Sequence, residues 1–402
     1  MDVFTGNFTQ QEPIPEDGIA AAMAVLQSGR LHRYNVAEGE LGETALLEQE
    51  FAAYTGAKYA LAVASGGYAM GCALRAVGVK PGDTVLSNGF TLAPVPGAIA
   101  SVGAEPLFVE TDENLTIDLD DLEAQIEASA ARYLLLSHMR GHLCDMDRLM
   151  AICNAHKVTV IEDCAHTMGA EWQGTPSGRH GAVGCYSCQT YKHVNSGEGG
   201  FLVTDDEDVM ARAVILSGSY MLYERHAAAP PAAAFAHVKY VTPNISGRMD
   251  NLRAAILRPQ LANLPAQVAA WNARYKAVED GLRNAPGLSI IARDPRGMFV
   301  GSSIQFRLTE AAPHDIQEFL TRCATRGVEL KWFGAEEPLA FTSRYDSWRY
   351  ARPQSLARTD AILAGLIDMR LPLTFSVADC QLIARILQSE ARALQGRADL
   401  AS

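Results

Sequence analysis

Apolar residues recur along this chain in two rhythms. Short runs such as YALAV at 59–63, YLLLS at 133–137 and VTVIED at 158–163 are almost wholly apolar until their last residues. Between them, apolar positions return every three or four residues. The first rhythm predicts buried strands and the second predicts amphipathic helices. Helices are expected at 15–29, 44–55, 68–77, 93–101, 120–128, 147–156 and 209–217, and strands at 59–64, 84–87, 106–110, 133–137, 158–162, 185–187 and 201–204. Strands alternating with helices imply an α/β unit with a mostly parallel central sheet and helices on both faces. Beyond residue 250 the rhythm changes. Two long helices, 251–261 and 265–284, precede strands at 303–308, 328–332 and 369–373 and helices at 314–327, 359–365 and 376–395. This second part reads as a smaller α+β domain. The expected division is 1–260 for the large domain, with its N-terminal helix, and 261–402 for the small one.

In open parallel sheets, ligands gather beyond the carboxyl ends of the strands. Ser65, His138, Arg140, Asp163 and Ser187 all end or follow predicted strands. At 59–68 a strand runs into Ser65-Gly66-Gly67 and then into a helix. That geometry offers free N–H groups and a favourable dipole to a phosphate; its spacing matches neither a Walker A loop nor a dinucleotide fingerprint. The plain alternative is an ordinary strand–helix corner. Asp163 closes a buried strand, so its carboxylate needs a donor or a cation. It caps the following segment, or it keeps a pyridine nitrogen protonated. Lys192 sits in a turn beyond the strand at 185–187, in a segment poor in charge, before a glycine run at 197–200. Partial desolvation would lower its pKa and make it a Schiff-base nucleophile; the alternative is a surface lysine beside a flexible loop.

Charge narrows the choice of partners. Lys and Arg number 34 against 46 Asp and Glu, a net charge of −12, and no basic cluster interrupts this balance. Nucleic acid and anionic membranes are therefore not expected partners. No apolar run reaches bilayer length. The first residues, MDVFTGNFTQQEP, lack the basic start and apolar core of a signal peptide. Eight cysteines are scattered without CxxC pairing, so reduced core residues of a cytoplasmic protein are expected, with no metal site.

Taken together, these motifs resemble the DegT/DnrJ/EryC1/StrS aminotransferases, a branch of the fold-type I pyridoxal phosphate (PLP) enzymes. The resemblance covers roughly residues 30–390. It rests on ASGGYA at 64–69, IEDCAH at 161–166, SCQTYK at 187–192 followed by SGEGG at 196–200, RMDNLRAA at 248–255 and LPL at 371–373. Each motif is weak alone; their order and spacing together are specific. The resemblance implies that Lys192 forms the Schiff base with PLP and then moves a proton, while Asp163 pairs with the ring nitrogen. It implies that Ala165 packs on the ring and His166 lies near its oxygen edge. Ser65, Gly66, Gly67 and Ser187 would hold the phosphate. Asn244, or its neighbour Ser246, would reach the phosphate of a partner subunit, because the family builds its site across a homodimer interface. A lysine at 192 also separates the chain from a related dehydratase branch with His at that position.

The departures from the family pattern bear on the substrate. Gly67 stands where Thr or Ser is common, and Leu92 where an aromatic ring stacks on PLP. Arg140 replaces a usual Tyr. It either binds a substrate carboxylate or is a salt-bridging loop residue. Tyr34 and Tyr223, in the polar loops at 31–42 and 218–243, are further candidate substrate contacts. The resemblance implies a PLP-dependent aminotransferase moving an amino group from glutamate or glutamine to the keto group of a sugar, cyclitol or small keto acid. A PLP-dependent lyase and a non-catalytic regulatory homologue are the alternatives.

Overall fold

The computed structural model describes residues 2–401, with side chains through residue 395. A seven-stranded sheet lies at its centre. Its spatial order is Tyr59–Val63, Gly200–Thr204, Val183–Ser187, Thr159–Asp163, Tyr133–Ser137, Thr84–Asn88 and Glu105–Val109. The last five are mutually parallel, and Gly200–Thr204 runs antiparallel to both neighbours. Strand parity divides the core. Leu135 packs with the helices Gly66–Ala76, Pro94–Ser101 and Glu207–Ser217, whereas Leu134 and Leu136 pack with Leu119–Ser129 and Met146–Ala155. Covering both faces explains why these strands read as continuous apolar runs. The expected α/β class is the one observed, with boundaries shifted by one or two residues at most strands.

The smaller unit is a four-stranded antiparallel sheet, ordered Leu288–Ile290, Ser303–Leu308, Leu366–Arg370 and Lys331–Trp332. Helices Pro313–Thr325 and Val377–Ala401 complete it, and Phe4 and Phe8 from the N-terminal segment share its core. Two expectations change here. The two helices expected at 251–261 and 265–284 are one helix, Asn251–Leu282, which continues through Pro259 and Pro265. Each proline removes one N–H and strains one turn. Burial of Leu257, Leu261, Leu264 and Val268 against the large unit outweighs that loss. The division expected at residue 260 therefore falls inside a continuous helix. The strand expected at 369–373 is Leu366–Arg370, because Pro372 cannot donate to a ladder. The strand at Leu288–Ile290 was not expected. All eight cysteines are free and buried, and no helix among the described residues is long and apolar enough to cross a membrane.

A buried ion pair ties the early loop to the large sheet. Arg33 Nη2 donates to both Glu48 oxygens, at 2.9 and 2.7 Å, and Ala62 N donates to Glu48 Oε1 at 2.8 Å. His226, from the long loop at 218–243, places Nε2 3.2 Å from Glu48 Oε2, and its Nδ1 lies 3.1 Å from the Tyr34 hydroxyl. Burial works to raise the Glu48 carboxyl, but Arg33 and His226 outweigh it and hold it at about 2, below its usual 4.5. A depressed carboxylate contributes stability that is present above about pH 4.5 and is lost as pH falls toward 2. Glu48→Ala leaves a guanidinium buried without its partner, and denaturant titration at neutral pH should show a loss of about 3–5 kcal/mol. Below pH 3 the gap between variant and parent should narrow.

Candidate active site

The turn after Tyr59–Val63 is shaped for an anion. Ser65 caps the helix Gly66–Ala76, its Oγ accepting from Tyr68 N at 3.0 Å. The N–H groups of Gly66 and Gly67 lie in the first turn, where a helix offers them no acceptor. Glycine at 66 is required by crowding, since a Cβ there would fall 2.8 Å from Ser187 Cβ. Ser187 ends the strand Val183–Ser187, and its Oγ accepts from Gln189 N at 3.3 Å. Both serine hydroxyls thus have an acceptor role filled and an O–H left to donate. Two hydroxyls, two free amides and a helix N-terminus converge at one place.

Asp163 sits three strands along the sheet from this turn, ending Thr159–Asp163. Its oxygens accept from Ser137 Oγ at 3.0 Å and from Ala165 N at 3.1 Å. It makes no salt bridge among the described residues, and burial raises its pKa, with Ala165 N–H and Lys192 opposing. Behind it, Glu162 accepts from His138 Nε2 at 2.9 Å and from the backbone of Gly178, His180 and Gly181. His138, Glu162 and Cys164 come within 4.8 Å of one another, but the carboxylate is already fully engaged in these hydrogen bonds.

Lys192 Nζ lies 2.8 Å from His166 Nε2. Arg140 N donates to His166 Nδ1 at 3.3 Å, so the ring proton belongs on Nε2, where it can point at a neutral amine. The electrostatics agree. Burial, then the Arg140 guanidinium, push the Lys192 amine down to about 7. Burial, then Lys192, hold His166 well below its ordinary value. His193, next in the chain, turns away to pack on Trp271 at 5.2 Å between ring centroids.

Lys192 and His166 face a cavity of about 290 Å³, which Leu92, Arg140, Lys331, Asp368 and Arg370 also line. Arg140 pairs with Asp368 Oδ2 at 2.9 Å, a salt bridge to the small sheet, and it also lines the cavity. Tyr34 and Tyr223, expected to touch substrate, lie outside this cavity. Tyr34 is buried against His226, and Tyr223 stacks on Phe235 at 4.5 Å, because both loops fold back onto the large unit. Asn244 is exposed and accepts from Ser246 N at 3.2 Å, away from this chain's own cavity. Sequence reasoning missed Phe8, Thr9, Lys331 and Arg370 as lining residues. Arg370 had one available signal, its place directly before the LPL motif.

The residues present fit PLP. A buried carboxylate without a cationic partner suits a protonated ring nitrogen. The Ser65–Ser187 turn suits a phosphate dianion. Lys192 offers an amine whose pKa is lowered to about 7.

A family model for the DegT/DnrJ/EryC1/StrS aminotransferase family matches residues 14–388, and the chain belongs to that family. Among curated proteins, a putative L-glutamine:3-amino-2,3-dideoxy-scyllo-inosose aminotransferase from Micromonospora echinospora is 34% identical over 252 residues, 62% of this chain and 57% of that protein. The chain thus matches little more than half the length of such curated relatives. DesV from S. venezuelae, solved in complex with a ketimine intermediate, superposes with a TM-score of 0.78 at 26% identity, covering 93% of this chain and 94% of that one. A 3-amino-5-hydroxybenzoic acid synthase superposes with a TM-score of 0.81 at 24% identity, covering 97% and 98%, and shares the fold. The fold is that of fold-type I PLP enzymes.

Two measurements check this geometry. In cofactor-free protein, reductive methylation of Lys192 followed by mass spectrometry should accelerate through about pH 7, whereas an ordinary lysine accelerates toward ~10.4. Arg140→Gln removes a neighbouring positive charge and should move that midpoint upward. Gly66→Ala should displace Ser187, weaken PLP binding measured by equilibrium dialysis, and destabilise the fold by ~1–3 kcal/mol through overpacking.

Proposed function

We propose that this protein is a PLP-dependent aminotransferase. It takes an amino group from glutamate or glutamine and delivers it to the keto group of a cyclitol, a sugar or a small keto acid. The observation that carries this reading is Lys192, held 2.8 Å from His166 with its pKa lowered to about 7, in a family otherwise defined by this chemistry. The name of the Micromonospora relative supports amino transfer over elimination and supports glutamine as donor.

When bound, PLP supplies the electron sink that makes a substrate Cα–H acidic. The chain supplies the rest. Ser65, Gly66, Gly67 and Ser187 would anchor the phosphate, and Asp163 would keep a proton on the ring nitrogen. Ala165 and Leu92 bound the ring. Lys192 would act first as nucleophile toward the cofactor's aldehyde and then as the general base for the proton at the substrate Cα. His166, 2.8 Å away, orients that amine. We read residues 1–260 as the cofactor-binding unit and 261–402 as the closing unit, and the working form as a cytoplasmic homodimer. Tyr220, Met221, Tyr240, Val241 and Ile245, all exposed, surround the segment carrying Asn244 and support an interface there.

Purified protein loaded with PLP should lose its visible absorption band on addition of glutamine or glutamate alone, and regain it with a keto acceptor. Lys192→Ala should slow this exchange by ~10²–10⁴-fold, and Asp163→Asn should weaken it while leaving the fold intact by circular dichroism. A protein whose band ignores every amino donor is not an aminotransferase. Light scattering at twice the chain mass of 43.3 kDa would support the dimer.

A further inference from the structure

We infer that the cavity in front of Lys192 recognises an oxyanion on the keto acceptor, a carboxylate or a phosphate, through Arg140, Lys331 and Arg370. This rests on the aminotransferase reading and narrows its substrate class.

Strand register builds the site. Lys331 pairs with Asp368 across the antiparallel ladder of the small sheet. Arg370 lies two residues beyond Asp368, so Lys331, Asp368 and Arg370 share one face. That face looks across the cavity toward Lys192 and Arg140. Of the acids nearby, Asp368 is partly engaged, its Oδ2 held in an ion pair with Arg140 but without a hydrogen bond. It is fully buried, its Oδ1 accepts from Gln305 Nε2 at 2.8 Å, and Arg140 Nη2 stands 2.9 Å from its Oδ2. Glu329, the other acid on the cavity lining, is exposed at the rim.

The cations retain unused donors. Arg140 is 8% exposed, and its Nε and Nη2 are buried without a hydrogen bond, the approach to Asp368 being misaligned for one. Lys331 Nζ has no hydrogen bond or ion pair among the described residues; its contact is the face of Phe341, 5.4 Å from the ring centroid. Arg370 gives one N–H to Phe8 O at 3.1 Å and lies 4.2 Å above the Tyr191 ring, without a carboxylate in salt-bridge range among the described residues. Burial, opposed by Asp368 but reinforced by Arg140, pulls the Lys331 ammonium below its ordinary value, and Arg370 is likewise lowered by burial. Keeping such cations half-desolvated beside one another is costly unless an anion joins them. A substrate oxyanion would take charge-assisted hydrogen bonds from all three. A neutral keto cyclitol would leave them unmatched. The donor's α-carboxylate alone needs one bidentate partner, and the cavity offers three cations.

The test uses PLP-loaded full-length protein and compares a neutral keto cyclitol, a keto acid and a phosphorylated keto sugar as acceptors. The proposal expects kcat/KM to favour an anionic acceptor. Lys331→Gln should lower that preference by about tenfold or more, Arg370→Gln should do so similarly, and Lys331→Arg should restore most of it. Calorimetry with succinate, a non-reacting dicarboxylate, should show binding that Lys331→Gln weakens. Thermal melts identify any variant that fails to fold, and the half-buried Lys331 leaves a testable variant if Arg370→Gln does not. Equal preference for neutral and anionic acceptors, unchanged by Lys331→Gln, overturns the proposal. So does a rise in KM confined to the amino donor, which would assign the cations to the donor carboxylate. If wild-type protein shows no donor-driven spectral change, the aminotransferase reading fails instead, and the two failures are told apart by that single control.

Discussion

A carboxylate buried without a cation governs this molecule. Asp163 receives one hydroxyl and one backbone N–H, too little to compensate a desolvated charge. That environment suits a positively charged partner. The strand carrying it is central in a parallel sheet, so its end opens onto a crevice rather than a turn. Glu162, one residue earlier, points to the other face and is saturated by His138 and three backbone amides. Two adjacent carboxylates thus serve opposite ends: one rigidifies the strand's exit, and the other waits for a partner.

The same economy of charge appears at Lys192. An amine that must act as nucleophile and base near neutral pH cannot remain an ordinary ammonium. Burial and Arg140 lower its pKa to about 7, and His166, itself held neutral, can present a ring N–H to the amine when its lone pair is free. Arg140 can stand so close because its backbone is left-handed, at φ 54°, and because Asp368 takes part of its charge. The small unit therefore does more than cover the site. Through Arg370 and Lys331 it adds to the positive field that lowers the lysine's pKa.

The N-terminal segment joins the two units. Phe4 and Phe8 pack edge-on against Phe375, while Phe8 and Thr9 form one wall of the cavity. Arg326 Nε–H donates to Asp2 O at 2.8 Å, and Phe4 N donates to Arg326 O at 2.9 Å. Residues far apart in sequence thus close the space above Lys192, and the long helix Asn251–Leu282 supplies the rigid connection beneath.

Local chemistry was enough to reveal much of this from the sequence. Apolar runs with a period other than the helical one can satisfy their backbone only in a covered sheet, so the strands and their order of alternation were legible. Lys192, Asp163, Ser65 and Ser187 were legible too, since each ends or follows such a strand and carries a group that is costly to bury idly. Tertiary structure decided what local rules leave open. It carried one helix across Pro259 and Pro265, because long-range burial outweighed a local break. It drew Tyr34 and Tyr223 into the core and away from the cavity, because their loops found His226 and Phe235. It brought Lys331 and Arg370, more than 130 residues from Lys192 in the chain, to the same cavity. Register between separated strands is set by packing and not by neighbours in sequence, and so those cations could be found only once the sheet was built.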